Sequence, residues 1–319
     1  MREVNSFNEI TGVILAAGRG NRALPLTDHY LKTLLPICNR PILDYHLQEL
    51  SRLGIRRVII LLGHLKEQLY RYIEHHPRYG LEIVCVEQKE QAGIAHALLE
   101  LESLLDKPFL LVLGDIFFIP RDLPSITGFL SETNFGAGVA VRWEDNPDYL
   151  KRNFLIETDS HGRVLRVTEK PDLKTGGLKG CGIYFFKASI FDAIRRTPRS
   201  PLRNEYELTD SIQTLIDKGF WVTAHNVVEW DMNITLARDI LTCNQYCLGR
   251  KGLNRIVASG VQLPEDSRIN HSVIGEGVVV GKGAVIEHSV IFPDAIIPPG
   301  AHLQQTILTP HGLLEFDES

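Results

Sequence analysis

The chain has 319 residues, of which 44% are hydrophobic and 23% charged, and its formal net charge at pH 7 is -5. This balance is typical of an ordinary globular protein with room for one large domain and a small one. No run of lysine or arginine is dense enough for a nucleic-acid groove, and no window approaches the roughly 18 apolar residues of a membrane span. We therefore expect neither a nucleic-acid partner nor a membrane, and a polyanionic substrate would need local positive charge.

The amino terminus and the cysteines indicate the compartment. Residues 1–10 are polar and lack the apolar region of a secretory signal. The five cysteines are scattered, without the ligand spacing of a zinc site. We expect reduced thiols in a cytoplasmic protein.

Short apolar runs alternate with helical patterns through the first half of the chain. The runs lack polar alternation, which indicates strands of a parallel sheet covered on both faces; they are 13–17, 58–62, 82–86 and 109–113. Amphipathic patterns predict helices over 41–53, 64–74 and 95–105. The alternation predicts a Rossmann-like, doubly wound α/β domain, in which ligands bind at the carboxyl ends of the strands.

The middle of the chain continues with mixed patterns. Strands are predicted over 138–142, 164–169 and 182–186, and helices over 208–217 and 235–246. We expect these elements to extend the same mixed sheet and to form the acceptor side of a cleft.

After about Gly252 the pattern changes to a six-residue repeat. Apolar residues fall six apart at Ile274, Val280, Ile286 and Phe292. Hexapeptide periodicity is typical of a left-handed parallel β-helix, here of about two coils. That is short for a hexapeptide acyltransferase. The predicted domains are therefore 1–252, catalytic, and 253–319, a β-helix that supports or assembles the protein as a homo-oligomer.

The first predicted strand runs directly into a loop with two glycines and two arginines, L-A-A-G-R-G-N-R-A-L-P-L-T over 15–27. Gly18 and Gly20 let the backbone approach a ligand and turn N–H groups toward phosphate oxygens. Arg22 can bind two oxygens at once, and Lys32 supplies a compact charge. The spacing is neither that of a dinucleotide-binding fold nor that of a P-loop, which disfavours a dehydrogenase and an ATPase. The segment predicts a phosphate-binding loop.

The same segment resembles the signature G-x-G-T-R-L-x-P-L-T-x-x-x-P-K of the sugar-1-phosphate nucleotidyltransferases, such as the glucose-1-phosphate thymidylyltransferases and uridylyltransferases. The resemblance continues in order from residue 11 to about 247. Asn21 stands where threonine is usual, and Leu31 replaces the usual proline before the lysine. The resemblance implies that Arg22 and Lys32 bind a nucleoside triphosphate. It also implies loop contacts to substrate from Ala16, Ala17, Gly18 and Gly20.

A second segment, Q-K-E-Q-A-G-I-A-H-A from Gln88, is similar to the base-reading segment Q-x-x-x-x-G-x-A-x-A of that family. A glutamine amide offers a donor and an acceptor side by side, which matches the imide edge of uracil or thymine. The resemblance therefore implies that Gln88 and Gly93 contact a pyrimidine base.

Two further segments carry charge at predicted strand ends. Asp115 follows the strand over 109–113, where a carboxylate can hold Mg²⁺; it matches the metal aspartate of the family, and Gly114 precedes it as a substrate contact. Glu169 and Lys170 match the E-K-P motif, which implies that the glutamate binds sugar hydroxyls and the lysine binds the sugar phosphate. Gly182 matches the glycine that lies against the sugar.

The second metal ligand has two candidates. The family pattern is W-x-D-x-G-T-x-x-D-L, whereas this chain reads W-D-M-N-I-T-L-A-R-D-I over 230–240. Counting back from the predicted helix places Asn233 in the ligand position. Counting forward from Trp230 places Asp231 within one residue of it. We favour Asn233, because the helix fixes the register better than a strand end does.

The resemblance implies an Mg²⁺-dependent enzyme that transfers a nucleotidyl group from UTP or dTTP to a hexose-1-phosphate, by default glucose-1-phosphate, and releases pyrophosphate. The alternative is a non-catalytic, ligand-sensing regulatory relative with the same fold. Arg22, Lys32, Asp115 and Lys170 favour the enzyme.

Overall fold

The computed structural model describes residues 7–128, 130–201 and 203–316. By compactness the chain divides into two units: the first holds the residues up to 18 together with 46–232, and the second holds 19–45 together with the residues from 233 onward. The predicted phosphate loop therefore groups with the carboxyl-terminal part of the chain. The domain boundary at residue 252 follows the change in sequence pattern, and it stays a prediction.

The described strands are, in chain order, β1 Thr11–Ala16, β2 Pro36–Ile37, β3 Arg40–Pro41, β4 Arg57–Leu62, β5 Glu82–Glu87, β6 Phe109–Leu113, β7 Ile116–Pro120, β8 Phe135–Glu144, β9 Phe154–Thr158, β10 Val164–Glu169, β11 Gly177–Phe186, β12 Trp221–His225, β13 Val228–Asn233, β14 Arg255–Val257, β15 Arg268–Asn270, β16 Ser272–Ile274, β17 Val279–Val280, β18 Val285–Glu287, β19 Val290–Ile291, β20 Ile296–Ile297, β21 His302–Gln304, β22 Thr306–Thr309 and β23 Gly312–Glu315.

The described α-helices are α1 Leu26–His29, α2 Ile42–Arg52, α3 Lys66–His75, α4 Ile94–Leu99, α5 Pro147–Leu150, α6 Ser189–Arg196, α7 Leu208–Asp217 and α8 Ala237–Arg250. Short 3₁₀ helices span Phe7–Glu9, Asn21–Ala23, Lys32–Leu34, Glu102–Leu104 and Leu123–Thr127. Within these described ranges, none of the helices has the length and apolar character needed to cross a membrane.

The first unit is built on one mixed sheet in the order β10-β9-β11-β6-β1-β4-β5, with β8 on β11 and β12 on β8. Strands β6, β1, β4 and β5 are parallel neighbours. They form where the uninterrupted apolar runs predicted them. Strands β1, β4 and β6 are buried, because a strand covered on both faces has no exposed side that needs polar residues, whereas β5 at the edge of the sheet is half-buried. The Rossmann-like, doubly wound fold is confirmed.

The third predicted helix is shorter in the structure than in the pattern. The sequence predicted one helix over 95–105, but α4 ends at Leu99 and a 3₁₀ turn over Glu102–Leu104 follows. The backbone bonds change from four-residue to three-residue spacing there, since the Leu104 N–H donates to the Leu101 carbonyl at 2.9 Å. The Glu100 side chain, at this break, bonds to a neighbouring loop, as described below.

The carboxyl-terminal tract is a parallel β-helix with three faces. One face stacks β14, β16, β19 and β22, the second stacks β15, β18 and β21, and the third pairs β17 with β20. Strand β23 folds back antiparallel on β22 and covers the last edge. The predicted β-helix is confirmed, and it has more rungs than the two predicted coils.

The repeat of this β-helix differs from the predicted strict six. Strand pairing joins Val273 to Val290 and Val279 to Ile296, seventeen residues apart in both cases. The interior residues are therefore spaced five, six and six; they are Ile269, Ile274, Val280, Ile286, Ile291, Ile297 and Leu303. The prediction that Phe292 fills the interior was wrong by one residue, because Ile291 does so.

Each coil has seventeen residues in place of eighteen, and the missing residue shortens one corner. Side-chain hydroxyl groups form hydrogen bonds at this shortened corner. Ser272, Ser289 and Thr306 occupy equivalent buried positions after this corner. Ser272 Oγ accepts a hydrogen bond from the Ser289 N–H at 3.0 Å, and Ser289 Oγ accepts one from the Thr306 N–H at 3.1 Å. Ser289 Oγ also donates to the Glu287 carbonyl at 2.7 Å. The ladder pairs backbone groups that the tight corner would otherwise leave buried without partners.

We predict that Ser289→Ala lowers the free energy of unfolding by about 1–3 kcal/mol, because the buried Thr306 N–H loses its acceptor. Chemical denaturation measures the difference. The control is Ser125→Ala, whose exposed hydroxyl bonds only to the nearby Asp122 carbonyl at 3.0 Å. Equal stability of Ser289→Ala and wild type would contradict a structural role for the ladder.

Candidate functional site

The carboxyl ends of four neighbouring strands form one edge of the sheet in the first unit. Because β6, β1, β4 and β5 are parallel, the residues that follow them meet at the same edge. Ala17 follows β1, Gln88 follows β5, and Gly114 and Asp115 follow β6. Sequence reasoning assigned these residues to substrate or metal, and the sheet brings them to one edge.

The turn after β6 is held closely against β1. The Gly114 N–H donates to the Leu15 carbonyl at 2.9 Å. A Cβ atom on Gly114 would lie 2.7 Å from the Leu15 carbonyl oxygen, so only glycine fits. This contact fixes the backbone immediately before Asp115, a residue half-exposed between β6 and β7.

A buried histidine holds the other side of Asp115. His46 Nε2 lies 2.8 Å from the Ile116 carbonyl, so this nitrogen donates, and the ring stacks on Phe118 with centroids 5.4 Å apart. Burial lowers the pKa of His46 to about 4, although the nearby Asp115 carboxylate raises it. His46 is therefore neutral at physiological pH and fixes the backbone on the strand side of Asp115.

The loop after Gln88 is shaped by hydrogen bonds to its backbone. The Gln88 N–H donates to the Leu62 carbonyl at 2.7 Å, which extends the β4–β5 ladder by one residue. The N–H groups of Lys89 and Glu90 donate to the two carboxylate oxygens of Glu100 at 2.8 and 3.1 Å. The Gln88 side chain thus leaves from a backbone fixed on both sides.

Gly93 ends this loop in a conformation that requires glycine. Its φ is +107°, and a Cβ atom there would lie 2.6 Å from the Tyr206 carbonyl oxygen. The Tyr206 N–H donates to the Ala92 carbonyl at 2.8 Å, and the Ala95 N–H donates to the Tyr206 carbonyl at 3.0 Å. The predicted base-reading loop is therefore joined to the segment that precedes α7.

Strand β11 brings the predicted sugar residues to the same edge. Ile183 pairs with Val112 of β6, so residues 177–182 continue beyond the end of β6. In this part of β11, Lys179 pairs with Leu155 of β9. The residue before Leu155 is Phe154, the first residue of β9, and it pairs with Glu169 of β10. The register therefore places Glu169, distant in sequence, beside the carboxyl edge where Asp115 lies.

Gly182 lies within this extension of β11. Its φ is +66°, at a position where the pairing of β11 with β8 shifts register. A Cβ atom on Gly182 would overlap the Ile116 side chain. The bulge and the missing side chain allow β11 to pass directly over the residue that follows Asp115.

Glu169 and Lys170 form a half-buried pair at the end of β10. Lys170 Nζ lies 3.9 Å from Glu169 Oε1, and Thr209 Oγ1 donates to Glu169 Oε2 at 3.3 Å. Lys170 has a φ of +45°, and its N–H donates to the Asn153 carbonyl at 2.8 Å. An L-residue in this left-handed conformation is uncommon, and the hydrogen bond to Asn153 holds the backbone of Lys170 there.

Two carboxylates share this part of the edge. Burial and the negative charge of Glu207 raise the pKa of Glu169 to about 7, against the lowering effect of Lys170. Burial also raises the pKa of Glu207, and its Oε1 atom receives no hydrogen bond, with the Arg203 guanidinium 3.3 Å away. Buried acceptors without donors suit a ligand rich in hydroxyl groups.

The carboxylate of Asp231 is already used inside the protein. Lys179 Nζ lies 2.7 Å from Asp231 Oδ2, and the Arg142 guanidinium bonds to Asp231 Oδ1. Arg142 also pairs with Glu144 at 2.7 Å. Asp231 and Lys179 are 1% and 2% exposed, so this pair is closed to solvent. Its geometry is that of a structural ion network.

The predicted phosphate loop belongs to the second unit from Arg19 onward. Gly20 has a φ of +72°, and a Cβ atom there would lie 2.5 Å from Lys32 Cε, so the Lys32 side chain passes directly over this glycine. The Gly20 carbonyl accepts from Thr27 Oγ1 at 2.9 Å and from the Ala23 N–H at 2.9 Å. Arg22 lies in the 3₁₀ turn that follows Gly20. The loop is therefore folded around the lysine.

Leu31 stands where the resembled signature has proline. Its φ of -67° and ψ of 129° are values that proline adopts. The substitution therefore keeps the backbone direction that leads into Lys32.

Asn233 ends β13 with an unpaired oxygen. Its Oδ1 atom is buried and has no hydrogen-bond partner. A buried carbonyl oxygen without a donor costs free energy unless it binds a ligand or a cation. Across the described ranges, no preformed group of three or more His, Cys, Asp or Glu side chains could hold a metal. Asn233 and substrate phosphates can supply oxygen ligands of the kind that Mg²⁺ prefers.

Sequence reasoning missed Glu207, Tyr206 and Glu100. Glu207 lies directly before α7, where an acidic residue reads as an ordinary helix terminus. Glu100 lies within the predicted helix over 95–105 and reads as a solvated charge. Only tertiary structure shows that one faces Glu169 and the other holds the loop after Gln88.

Comparison with known proteins agrees with this arrangement. The family model "Nucleotidyl transferase" matches residues 11–231, and the model "GlmU-like, C-terminal hexapeptide" matches residues 247–314. The chain resembles a solved structure of UDP-glucose pyrophosphorylase complexed with UDP-glucose, with a TM-score of 0.65 and 23% identity, over 76% of this chain and 99% of that one. The fold is thus that of a nucleotidyl transferase followed by a hexapeptide β-helix.

Two curated relatives come from Haloferax volcanii. The low-salt glycan biosynthesis nucleotidyltransferase Agl11 is 33% identical over 246 residues, which cover 76% of this chain and 68% of the relative. The UTP–glucose-1-phosphate uridylyltransferase AglF is 32% identical over 227 residues, which cover 71% and 92%. The chain belongs to the nucleotidyl transferase family and is an enzyme of its sugar-1-phosphate class.

We predict that Asp231→Asn lowers the free energy of unfolding by about 3–5 kcal/mol, because the buried Lys179 and Arg142 lose their shared counter-charge. Denaturation followed by circular dichroism measures it. The matched control is Asp172→Asn, since the 99% exposed Asp172 side chain lies 3.7 Å from Lys151 in a surface pair worth about 0–1 kcal/mol. A fully stable Asp231→Asn protein would show that Asp231 has no structural role.

We predict that Glu169→Gln is more stable than wild type at about pH 8, with little difference at about pH 5. The pKa of Glu169 is raised from 4.5 to about 7 in the folded protein, so the folded state binds this proton more tightly than the unfolded chain. The resulting stability is complete below pH 4.5 and lost as pH rises through about 7. Melting temperatures across this range measure the effect, with the exposed Glu157→Gln as control. A difference that stays constant with pH would contradict the raised pKa.

Proposed function

We propose that the enzyme transfers a nucleotidyl group from UTP or dTTP to a hexose-1-phosphate, with glucose-1-phosphate as the default acceptor. The products are the nucleotide sugar and pyrophosphate. Support comes from the 32% identity to AglF and from a glucose-1-phosphate thymidylyltransferase of Streptomyces antibioticus, which is 29% identical over 82% of this chain and 75% of its own length.

One observation carries the proposal: the sheet register gathers Gln88, Asp115, Gly182 and Glu169 at a single carboxyl edge of the first unit. Those residues come from segments with different proposed partners, namely base, phosphate and sugar. A nucleotide and a sugar phosphate that react together need such neighbouring contacts. The buried oxygens of Glu169 and Glu207 favour a hydroxyl-rich acceptor over a second nucleotide.

The roles that we propose follow from charge and reach. Gln88 and Gly93 would bind the imide edge of a pyrimidine, with the backbone of Ala16, Ala17 and Gly18 nearby along the edge. Arg22 and Lys32, with the Gly20 backbone, would bind the triphosphate, and Lys170 would bind the attacking phosphate. Glu169 would accept from sugar hydroxyls, and Gly114 and Gly182 would leave room for the sugar.

For magnesium we propose Asp115 and Asn233 as the protein ligands. The residues fit the ion, because the Asn233 carbonyl oxygen is buried without a donor, whereas Asp231 is committed to Lys179 and Arg142. Mg²⁺ bound there would neutralise charge on the α-phosphate and the departing pyrophosphate. An amide ligand would leave the ion more positive than a second carboxylate does.

In the proposed reaction, an oxygen of the sugar phosphate attacks the α-phosphorus in line, and pyrophosphate leaves. A phosphate monoester is already anionic, so the protein needs no general base. Lys170, fixed at φ +45°, would hold the nucleophile, and Arg22 would stabilise charge on the leaving side.

The regulatory alternative has no observation in its favour. A homo-oligomer and a cytoplasmic location stay predictions.

Pyrophosphate release tests the proposal, with UTP, dTTP, ATP and GTP each combined with glucose-1-phosphate and Mg²⁺. We expect UTP or dTTP to exceed the purine nucleotides by at least about tenfold in kcat/KM, because a mismatched base leaves buried polar groups unpaired. Equal or better use of ATP or GTP would refute the base assignment.

Asp115→Asn should lower turnover by about 10²- to 10³-fold with the fold intact, because one preorganised charge is lost. The matched control is Asp106→Asn, an exposed aspartate before the opposite end of β6. A folded Asp115→Asn protein with near-normal turnover in Mg²⁺ would contradict the mechanism.

A further inference from the structure

The segment between Gly20 and Lys32 lies directly against the β-helix, within the second unit. The His29 ring stacks on His311, with centroids 3.9 Å apart and planes 11° from parallel. Tyr30 meets the Phe292 ring edge-on at 5.1 Å and the His311 ring at 5.8 Å. The Tyr30 side chain also hydrogen-bonds with the Thr309 side chain. Phe292, Thr309 and His311 thus form a seat for Tyr30, which we call the Tyr30 seat.

A second anchor lies after the lysine. Strands β2 and β3 form a tight hairpin whose turn residues Cys38 and Asn39 both have positive φ, +51° and +61°. Asn39 Nδ2 donates to the Ile274 carbonyl of the β-helix at 2.6 Å. Lys32 is therefore bracketed by two contacts with the β-helix.

The anchors are linked to the phosphate loop by short connections. Tyr30 lies two residues before Lys32, and the side chain of Lys32 passes over Gly20 so closely that a Cβ atom there would lie 2.5 Å from Lys32 Cε. The Gly20 carbonyl caps the turn that carries Arg22. A displacement of Tyr30 would therefore move the lysine and, through Gly20, the arginine turn.

We propose that the β-helix positions the triphosphate loop, with the Tyr30 seat as the main anchor. The proposal rests on the triphosphate role of Arg22 and Lys32 proposed above. Tyr30 and His311 are positioning residues, since they act through Lys32. Residues 18–22 are exposed or half-buried, so contacts elsewhere in the segment must hold the charges of Arg22 and Lys32 at fixed distances. The β-helix is thus part of the binding apparatus for the nucleotide, although it contributes no catalytic group.

Steady-state kinetics of the full-length enzyme test this role. His311→Ala and Tyr30→Leu should each raise KM for the triphosphate by about three- to tenfold, the range expected for loss of an aromatic pair. KM for the sugar phosphate should stay within about twofold, because Lys170 is not held by the seat. kcat should fall by no more than about tenfold, because the displaced Arg22 also stabilises charge on the leaving side. His311→Phe restores a ring for stacking and should recover most of the wild-type KM.

The matched control is His288→Asn. His288 stacks on His271 with centroids 4.7 Å apart in the same β-helix, and asparagine tolerates its φ of +48°. This variant removes a histidine stack without touching the seat, so KM should not change. An equal rise in KM for both substrates, or an equal effect of His288→Asn, would overturn the positioning role.

Hydrogen exchange separates this inference from the proposed function, because it needs no turnover. In His311→Ala, peptides covering residues 26–34 should exchange about tenfold faster than in wild type, while the β-helix strands keep their protection. Unchanged exchange in both seat variants would overturn the proposal even in an active enzyme. If the wild-type enzyme makes no nucleotide sugar but residues 26–34 lose protection in His311→Ala, the positioning role of the Tyr30 seat is supported and the proposed function is contradicted.

Discussion

The structure of the first unit depends on the pairing of β1 with two parallel neighbours. Strand β1 bonds to β4 along six residue pairs and to β6 along five, and Val13 and Ile14 are fully buried. A strand paired on both sides and covered on both faces must be apolar throughout, which explains its sequence. Its carboxyl end fixes where the chain leaves the sheet, and the Leu15 carbonyl fixes the turn that carries Asp115. The loop after β5 is connected to β1 through β4, and Glu169 at the end of β10 is connected to β1 through β6, β11 and β9.

Buried carboxylates in this unit are of two electrostatic kinds. Asp231 is compensated by Lys179 and Arg142, so its charge is satisfied within the protein. The charges of Glu169 and Glu207 repel each other with incomplete compensation, and burial raises the pKa of both. The first arrangement stabilises the fold whether or not a ligand is present. In the second arrangement the repulsion is unfavourable, and hydrogen-bond donors from a ligand would reduce it. This difference in compensation distinguishes binding carboxylates from structural ones, which residue type alone cannot do.

The sequence predicted the parallel strands and most helices because buried strands and amphipathic helices have distinct periodicities. It could not predict register, and register is what brings Glu169 to the carboxyl edge at which Asp115 also lies. Nor could it separate Asn233 from Asp231, since counting along the chain is ambiguous by one residue, whereas the Lys179 and Arg142 contacts of Asp231 are visible only in three dimensions. Glu100 and Glu207 carry no local signal, because their roles depend on segments distant in the chain.

The β-helix shows how one missing residue per coil creates a binding surface. In a strict six-residue repeat, Phe292 would point into the interior after Ile286. The tight corner at His288 removes one residue, so Ile291 enters the core and Phe292 turns outward. There it meets Tyr30. The departure from periodicity that misled the sequence interpretation thus places an aromatic side chain outside the β-helix interior, where it is still only 1% exposed. The buried hydroxyl ladder of Ser272, Ser289 and Thr306 satisfies the backbone at the shortened corner. A regular repeat would have kept the phenylalanine inside and left the phosphate segment without this contact.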